Sequence, residues 1–266
     1  MKTSIDFIGI GCAKCGTTSV FNALAMHPLI IPPRRGLTGS KTDRRLIGKE
    51  CFFWDRHIRS YGIDTYHKGH WGELKDNLVY GEFSPDYILF EETLKKIRDY
   101  NDRIKLLAIF RNPVERLWSE HKMFLEYGRY NISFRELIDN YADLQEPRMR
   151  RRTKTETWPI YRSCYGRQVT KVLELFDREN LFFIKLEELQ DFSSIMEKLF
   201  HFLGLNPLPV PELKLNARTK GDEIVPFYEE LIDRFFLKEI ELLENLMGWN
   251  CDEWKHAPKT SGQNEK

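Results

Sequence analysis

A short run of small and hydroxyl-bearing residues near the N-terminus has the chemistry of an anion-binding loop. Glycines let the backbone approach a bound group closely, and the amides at a helix N-terminus favour a negative charge. A lysine in the run adds a positive charge, and three hydroxyls add hydrogen-bond donors. The run predicts a phosphate cradle. It reads Gly11-Cys12-Ala13-Lys14-Cys15-Gly16-Thr17-Thr18-Ser19, and the residues assigned to binding are Lys14, Cys15, Gly16, Thr17, Thr18 and Ser19.

The position of the lysine separates this loop from the nucleotide-triphosphatase pattern G-x-x-x-x-G-K-[ST]. Thr17 stands where that pattern needs lysine, and Arg111, rather than an acidic residue, follows the apolar run 106–110. We therefore expect a loop that holds phosphate without a metal, and no metal ligand is assigned. Cys12 and Cys15 form a C-x-x-C, but no second pair completes a zinc site. We interpret both cysteines as small residues in a tight turn.

Strands and helices must alternate to position this loop. Apolar runs predict strands over 7–10, 106–110 and 181–186, and helical patterns predict helices over 17–26, 114–127 and 167–176. A continuous apolar run such as 106–110 is typical of a strand buried on both faces. The alternation predicts an α/β fold with a central parallel sheet flanked by helices.

Later segments are predicted to be helical. Ser133 with Glu136, and Ser194 with Glu197, fit capping boxes, and a longer amphipathic helix is expected over 227–247 with Gly248 at its end. We expect a single domain over residues 1–256 and a polar, disordered tail over 257–266.

Two further basic elements could hold a second phosphate. Arg111 follows the apolar run 106–110, and Ser119 lies two turns into the next predicted helix. Parallel α/β sheets bind ligands at the carboxyl ends of their strands. A compact basic loop follows near the C-terminus, Arg218-Thr219-Lys220-Gly221. Together with the first loop, these elements suggest a ligand that carries phosphates at two ends.

The three elements resemble, in order and spacing, the donor-binding motifs of sulfotransferases that use 3′-phosphoadenosine 5′-phosphosulfate (PAPS). The first loop resembles the family's 5′-phosphosulfate loop, Arg111 to Ser119 resembles the 3′-phosphate element R-[DN]-P-x-x-R-x-x-S, and residues 218–221 are similar to its late K-G loop. The resemblance covers residues 5 to 249. It implies a P-loop-like sulfotransferase fold, PAPS as donor, and transfer of a sulfuryl group to a hydroxyl or amine.

The resemblance also implies a catalytic base. Lys49-Glu50-Cys51-Phe52-Phe53 resembles the K-E-x-x-F-F segment of heparan-sulfate-type and related bacterial sulfotransferases, one residue short of its count. Residues 81–87 resemble the G-E-x-[ST]-P-x-Y segment, with Phe83 where several polysaccharide-acting members have lysine. In that branch Glu50 would be the base, Lys14 would meet the leaving phosphate, and Phe52 with Phe53 would shield the site from water.

Histidine is the rival base, because the cytosolic small-molecule branch of the family uses it. His57 is the nearest histidine to Glu50 in the sequence, and His67, His70 and His121 are also candidates. A metal-dependent nucleotide or nucleoside kinase of the P-loop class, or a non-catalytic nucleotide-binding module, are the alternative functions. The displaced lysine argues against a kinase, and donor binding without turnover would indicate a binding module.

Composition limits the partners and the compartment. The 266 residues contain 41 Lys and Arg against 40 Asp and Glu, which argues against nucleic acid as the partner. No apolar run approaches the roughly 18 residues of a membrane helix, no signal peptide is visible, and five cysteines favour a reducing, cytoplasmic compartment. We expect a small-molecule or sugar acceptor and a role in natural-product tailoring. The arginine-containing segment 146–159 is interpreted as a surface insertion or lid.

Overall fold

The structure is a computed structural model that describes residues 2–34, 48–58, 61–129, 131–140, 158–211 and 225–258, with only the backbone at Trp158. Within these ranges the chain divides into two compact units. The sheet unit comprises the described residues up to Phe110 and from Val172 to residue 211. The helical unit comprises those within Arg111–Lys171 and from residue 225 onward. The single domain expected over residues 1–256 stays a prediction.

A parallel β-sheet forms the centre of the sheet unit. Among the described residues it has five strands in the order β2-β3-β1-β4-β5, and every neighbouring pair is parallel. The central strand β1 is buried along its whole length, as its apolar sequence requires. The predicted α/β fold with a parallel sheet is confirmed. The strands are β1 (Phe7–Gly11), β2 (Ile30–Ile31), β3 (Val79–Phe83), β4 (Lys105–Phe110) and β5 (Leu181–Lys185).

Helices flank this sheet. In the sheet unit they are α1 (Thr17–Leu24), α2 (Ile63–His70), α3 (Glu91–Tyr100) and α8 (Phe192–Phe202), with a π-helical segment at Phe53–His57. Helices α1 and α8 pack against each other. The chain passes from one unit to the other within α7 (Tyr165–Leu175). Short 3₁₀ turns occupy Tyr87–Leu89, Arg178–Asn180, Leu186–Asp191 and, in the helical unit, Asp252–Trp254.

Gly9 lets the end of β3 lie close to β1. In the parallel register Gly9 is opposite Phe83, and a Cβ atom on Gly9 would lie 2.1 Å from Cγ of the Phe83 ring. Any larger residue would therefore displace that ring. This close approach places the residues that follow β3 beside the strand that leads into the anion-binding loop.

The helical unit consists of α4 (Pro113–Glu126), α5 (Phe134–Asp139), α6 (Trp158–Tyr161), the first part of α7, α9 (Tyr228–Leu231) and α10 (Leu237–Met247). A π-helical segment, Ile232–Phe236, joins α9 to α10. Asn112 caps α4 by accepting hydrogen bonds from the amides of Val114 and Glu115. The capping box of Ser133 and Glu136 at the start of α5 is confirmed.

Several predictions about secondary structure were wrong in detail. Helix α8 begins at Phe192, and its cap is Asp191, which accepts from the Ser194 amide at 3.2 Å, so the Ser194 capping box is absent there. The expected helix over 227–247 contains the π-helical segment, although it does end at Gly248 with φ 67°. Strand β3 was not predicted, because its Gly81 and Glu82 are residue types depleted in strands. No described helix is long and apolar enough to cross a bilayer.

Candidate active site

The loop between β1 and α1 has a backbone that suits an anion. Gly16 occupies the N-cap of α1 with φ 79°, and since glycine has no side chain, the first turn of α1 has no side-chain cap. Lys14 is half-buried and also has a left-handed backbone, with φ 70°. The Ser19 amide donates to the Gly16 carbonyl at 3.0 Å. The N-terminus of α1 therefore has no capping side chain, which leaves this end of the helix suited to an anionic ligand.

The two cysteines of the loop are buried and take part in no disulfide bond. Cys15 is fully buried, and its thiol lies 3.6 Å from the Ala13 carbonyl oxygen. Cys12 is 2% exposed. Small buried side chains at both positions agree with their interpretation as residues of a tight turn.

Lys49 brings the loop and the candidate base together. Its ammonium donates to the Thr17 hydroxyl at 2.9 Å and to the Thr18 hydroxyl at 3.3 Å, and it lies 3.5 Å from the nearer Glu50 carboxylate oxygen. Burial lowers the pKa of Lys49, and the charge of Glu50 opposes this shift. Sequence reasoning did not assign Lys49 a role. Its place beside Glu50 in the K-E-x-x-F-F segment was the available signal.

Glu50 has the environment expected of a general base. Burial in its protein surroundings raises the pKa of the carboxyl group, the charge of Asp86 raises it further, and the charges of Lys49 and Arg56 lower it. The side chain nevertheless keeps 37% of its surface exposed. An accessible carboxylate whose pKa is raised toward the working pH can accept a proton efficiently.

Phe53 and Trp54 form a buried aromatic pair shortly after Glu50 in the chain, and the expected shielding of the site by Phe52 and Phe53 stays a prediction. Phe53 is 0% and Trp54 1% exposed, and their rings meet edge to face at 5.2 Å. Phe52 has φ 48°, is half-buried and stacks with the Arg56 guanidinium, 3.7 Å from its ring centroid. If Phe53 and Trp54 are taken as the two aromatic residues of the segment, two residues separate them from Glu50, as in K-E-x-x-F-F. The segment is then no longer one residue short.

The rival histidines are engaged in packing or hydrogen bonds. His67 lies 2.6 Å from the Tyr100 hydroxyl, and His70 lies 3.3 Å from the Arg34 carbonyl oxygen. Burial lowers the pKa of both rings. In the helical unit, His121 stacks on Trp118 and burial lowers its pKa as well. His57 ends the π-helical segment that follows Glu50. Glu50 is hydrogen-bonded to Lys49.

The predicted 3′-phosphate residues that the structure describes lie in the helical unit. Arg111 directly follows β4 in the chain and forms an ion pair with Glu115, with nitrogen–oxygen distances of 2.8 and 3.2 Å. Ser119 is half-buried on α4. The second arginine of the motif, Arg116, is fully buried and binds Ser163 and Glu120, so it packs the interior of this unit.

Some predicted residues lie outside the described ranges. They are the basic loop of Arg218, Thr219, Lys220 and Gly221, and the arginine run Arg148, Arg150, Arg151 and Arg152. Among the described residues, no group of three or more His, Cys, Asp or Glu could hold a metal ion.

Comparisons with known proteins agree on one family. No protein-family model matches the chain. The heparan sulfate glucosamine 3-O-sulfotransferase 6 of Mus musculus is 24% identical over 214 residues, which cover 80% of this chain and 56% of that protein. The membrane-associated sulfotransferase kil1 of Dictyostelium discoideum is 28% identical over 149 residues, which cover 53% and 29%. The chain thus spans less than two thirds of the length of both relatives.

A solved structure matches along almost the full chain. The crystal structure of a sulfotransferase from Alicyclobacillus acidocaldarius superposes with a TM-score of 0.72 and 25% identity, covering 96% of this chain and all of that one. The five-stranded parallel sheet flanked by helices defines an α/β protein whose fold matches that sulfotransferase structure. The chain is similar to sulfotransferases in sequence and in fold, and its distant relatives include heparan sulfate sulfotransferases.

Proposed function

We propose that this protein is an enzyme that transfers the sulfuryl group of PAPS to a hydroxyl or amine of a small metabolite or glycan. One observation carries the proposal: the Lys49 ammonium contacts two hydroxyls of the anion-binding loop and also the Glu50 carboxylate. A donor-binding loop and a proton acceptor are thus joined by one cation. Transfer between a bound donor and an acceptor requires this proximity.

The loop fits the phosphosulfate end of the donor. The uncapped start of α1, the hydroxyls of Thr17 and Thr18 and the side chain of Lys14 are all donors suited to anionic oxygens. Burial lowers the pKa of Lys49, and a neighbouring anion would favour its charged form. Lys49 therefore suits a position beside a group that carries negative charge.

The roles of the residues follow from this fit and from the family resemblance. Thr17 and Thr18 hold the 5′-phosphate, with Cys15, Gly16 and Ser19 shaping the loop, while Lys14 stabilises charge on the leaving oxygen. Arg111 and Ser119, with the loop of Arg218, Thr219, Lys220 and Gly221, bind the 3′-phosphate. The donor supplies an already activated sulfuryl group. Glu50 accepts the proton that the acceptor hydroxyl or amine releases.

The class of acceptor and the cellular compartment are also part of the proposed function. A small metabolite handled in the cytoplasm, as in natural-product tailoring, is the acceptor class we favour over a polymer. Phe83 stands where several polysaccharide-acting members have lysine, and this departure from their pattern supports the choice. We also propose that residues 1–256 form a single domain.

A transfer assay tests the proposal. Purified protein is incubated with PAPS labelled in its sulfate and with panels of alcohols, phenols, amines and sugars, and both labelled product and released adenosine 3′,5′-bisphosphate are measured. We expect label transfer to at least one class. Binding of the bisphosphate without transfer to any acceptor would indicate a binding module. Magnesium-dependent phosphate transfer from ATP would indicate a kinase.

A further inference from the structure

The chain that follows Glu50 is held by side chains from the end of β3 and the turn after it. The Cys51 amide donates to Oε2 of Glu82 at 3.0 Å and to Oγ of Ser84 at 3.1 Å. The Phe52 amide donates to the same Ser84 oxygen at 3.1 Å. The two backbone amides after the candidate base are therefore oriented by two side chains that lie more than 30 residues away in sequence.

Glu82 is built to accept hydrogen bonds and nothing else. It is 0% exposed. Besides the Cys51 amide, the hydroxyls of Ser84, Tyr66 and Tyr87 donate to its carboxylate at 2.5, 2.6 and 3.2 Å. Burial raises the pKa of Glu82, and these hydrogen bonds oppose the shift. A fully buried carboxylate surrounded by four donors has no access to an acceptor molecule, so its function is to hold its neighbours.

Ser84 links the base segment to the strand that leads into the anion-binding loop. Its amide donates to the Gly9 carbonyl of β1 at 2.9 Å, and the neighbouring Phe83 amide donates to the Lys49 carbonyl at 2.9 Å. The Ser84 hydroxyl then binds the amides of Cys51 and Phe52. One short stretch after β3 is thus bonded to β1 on one side and to the segment carrying Lys49 and Glu50 on the other.

We propose that Glu82 and Ser84 are positioning residues, which hold Glu50 in place relative to the hydroxyls of Thr17 and Thr18. This inference rests on the proposed function, in which Glu50 is the base. It assigns a physical task to the G-E-x-[ST]-P-x-Y segment: a hydroxyl at the [ST] position is needed because it accepts from two consecutive amides. A displacement of about 1 Å of a reacting group can lower the rate by about 10²-fold.

The test compares Ser84→Ala with Ser84→Thr. Ser84→Ala removes the acceptor of both amides, and we expect kcat to fall by roughly 10- to 100-fold while the affinity for adenosine 3′,5′-bisphosphate stays within about 2-fold. Ser84→Thr keeps the hydroxyl and should recover kcat to within about 3-fold of the wild type, by the same argument. Thr93→Val is the matched control, because it also removes a fully buried hydroxyl, which makes no hydrogen bond within the described residues.

A second readout does not depend on activity. Hydrogen exchange at the amides of Cys51 and Phe52 should be faster in Ser84→Ala than in the wild type, and unchanged in Thr93→Val. If no acceptor is ever sulfated, the proposed function fails, while the exchange result still decides whether Ser84 holds this segment. If circular dichroism shows that Ser84→Ala is unfolded, Glu82→Gln is used in its place, because glutamine keeps the volume and one oxygen acceptor. The same fall in kcat and the same faster amide exchange are expected.

Three results would overturn the inference. The first is exchange at Cys51 and Phe52 that is unchanged in the substituted protein. The second is a normal kcat in Ser84→Ala with Glu50→Gln inactive, since the base would then work without its support. The third is a parallel loss of bisphosphate affinity and kcat that Ser84→Thr does not recover, which would indicate a general structural role.

Discussion

The ammonium of Lys49 donates a hydrogen bond of 2.9 Å to the hydroxyl of Thr17. This contact joins the first turn of α1 to a segment 32 residues further along the chain. Lys49 is 14% exposed, and its ammonium also contacts the hydroxyl of Thr18 and the carboxylate of Glu50. The charge of the loop and the basicity of Glu50 are therefore coupled through one side chain, and the predictions on the reaction depend on that coupling.

Lys14→Ala should lower turnover by at least about 10²-fold, the scale on which one preorganised charge-stabilising donor acts. Donor affinity should fall less than turnover, because in the role proposed for it Lys14 acts mainly on the oxygen that gains charge as the bond breaks. Single-turnover kinetics with saturating donor measure the effect. Lys95→Ala, which changes an exposed lysine on α3, is the control. Near-normal single-turnover rates in Lys14→Ala would exclude this role.

Glu50→Gln should lower kcat by roughly 10²–10⁴-fold, because glutamine keeps the size of the side chain and loses the proton acceptor. Folding and affinity for adenosine 3′,5′-bisphosphate should be unchanged. His57→Asn is the matched control and should lose much less activity. An active Glu50→Gln with an inactive His57→Asn would transfer the role of base to histidine.

Removing a negative or a positive charge near Glu50 should shift the pH profile of kcat/KM in opposite directions. The base must be deprotonated, so activity rises with pH through its raised pKa. Asp86→Asn removes a negative charge that raises this pKa, so the acid limb of kcat/KM should move to lower pH. Lys49→Gln removes a positive charge that lowers it, so the limb should move to higher pH. Profiles that do not move would show that another group controls this limb.

Adenosine 3′,5′-bisphosphate should bind far better than AMP, without a divalent metal. Each charge-assisted hydrogen bond to the 3′-phosphate is worth roughly 1.5–3 kcal/mol, which corresponds to about 10- to 100-fold in affinity. Arg111→Ala should remove much of this preference and leave AMP binding unchanged, as calorimetry can measure. Arg98→Ala, an exposed arginine paired with Asp99, is the control. Equal affinity of the wild type for both nucleotides would exclude the 3′-phosphate assignment.

Glu120→Ala should lower the free energy of unfolding by about 3–5 kcal/mol, the range for breaking a buried ion pair. Arg116, which it pairs with at 2.9 Å, is fully buried, and Arg162 binds its other oxygen. Asp139→Ala breaks the exposed pair with Arg135 and should lower the free energy of unfolding much less, because an exposed ion pair is screened by solvent. Denaturant unfolding of both variants makes the comparison, and similar losses would contradict it.

The carboxyl group of Glu120 should also make the stability of the protein depend on pH. Burial alone would raise the pKa of Glu120, but the charges of Arg162 and Arg116 hold it below the ordinary value of 4.5. A carboxyl whose folded pKa is lowered stabilises the protein above its unfolded pKa, and this contribution is lost as pH falls through the folded pKa. Below pH 4.5 the wild type should therefore lose more stability than Glu120→Ala does.

Local signals were sufficient for much of the fold. The apolar run 106–110, the cap at Ser133 and the glycine at 248 are each determined by residues within a few positions, and each appears where the sequence predicts it. Strand β3 escaped prediction because its position depends on pairing with β1, where the Phe83 ring covers Gly9. The start of α8 escaped because a 3₁₀ turn precedes it and Asp191 takes the role of cap.

The sequence by itself determined the class of protein, the anion-binding loop and Glu50 as a candidate base, because these depend on residue types at short, readable spacings. Only the tertiary structure decided that Lys49 contacts Thr17, that Phe53 and Trp54 form the buried aromatic pair, and that Glu82 is a buried acceptor. Each of these is a contact between segments distant in sequence or a choice of which side chain is buried. Such contacts, and the choice of buried side chain, depend on the register of the strands and on the path of the chain after each strand. The order of residue types along the sequence does not contain that information.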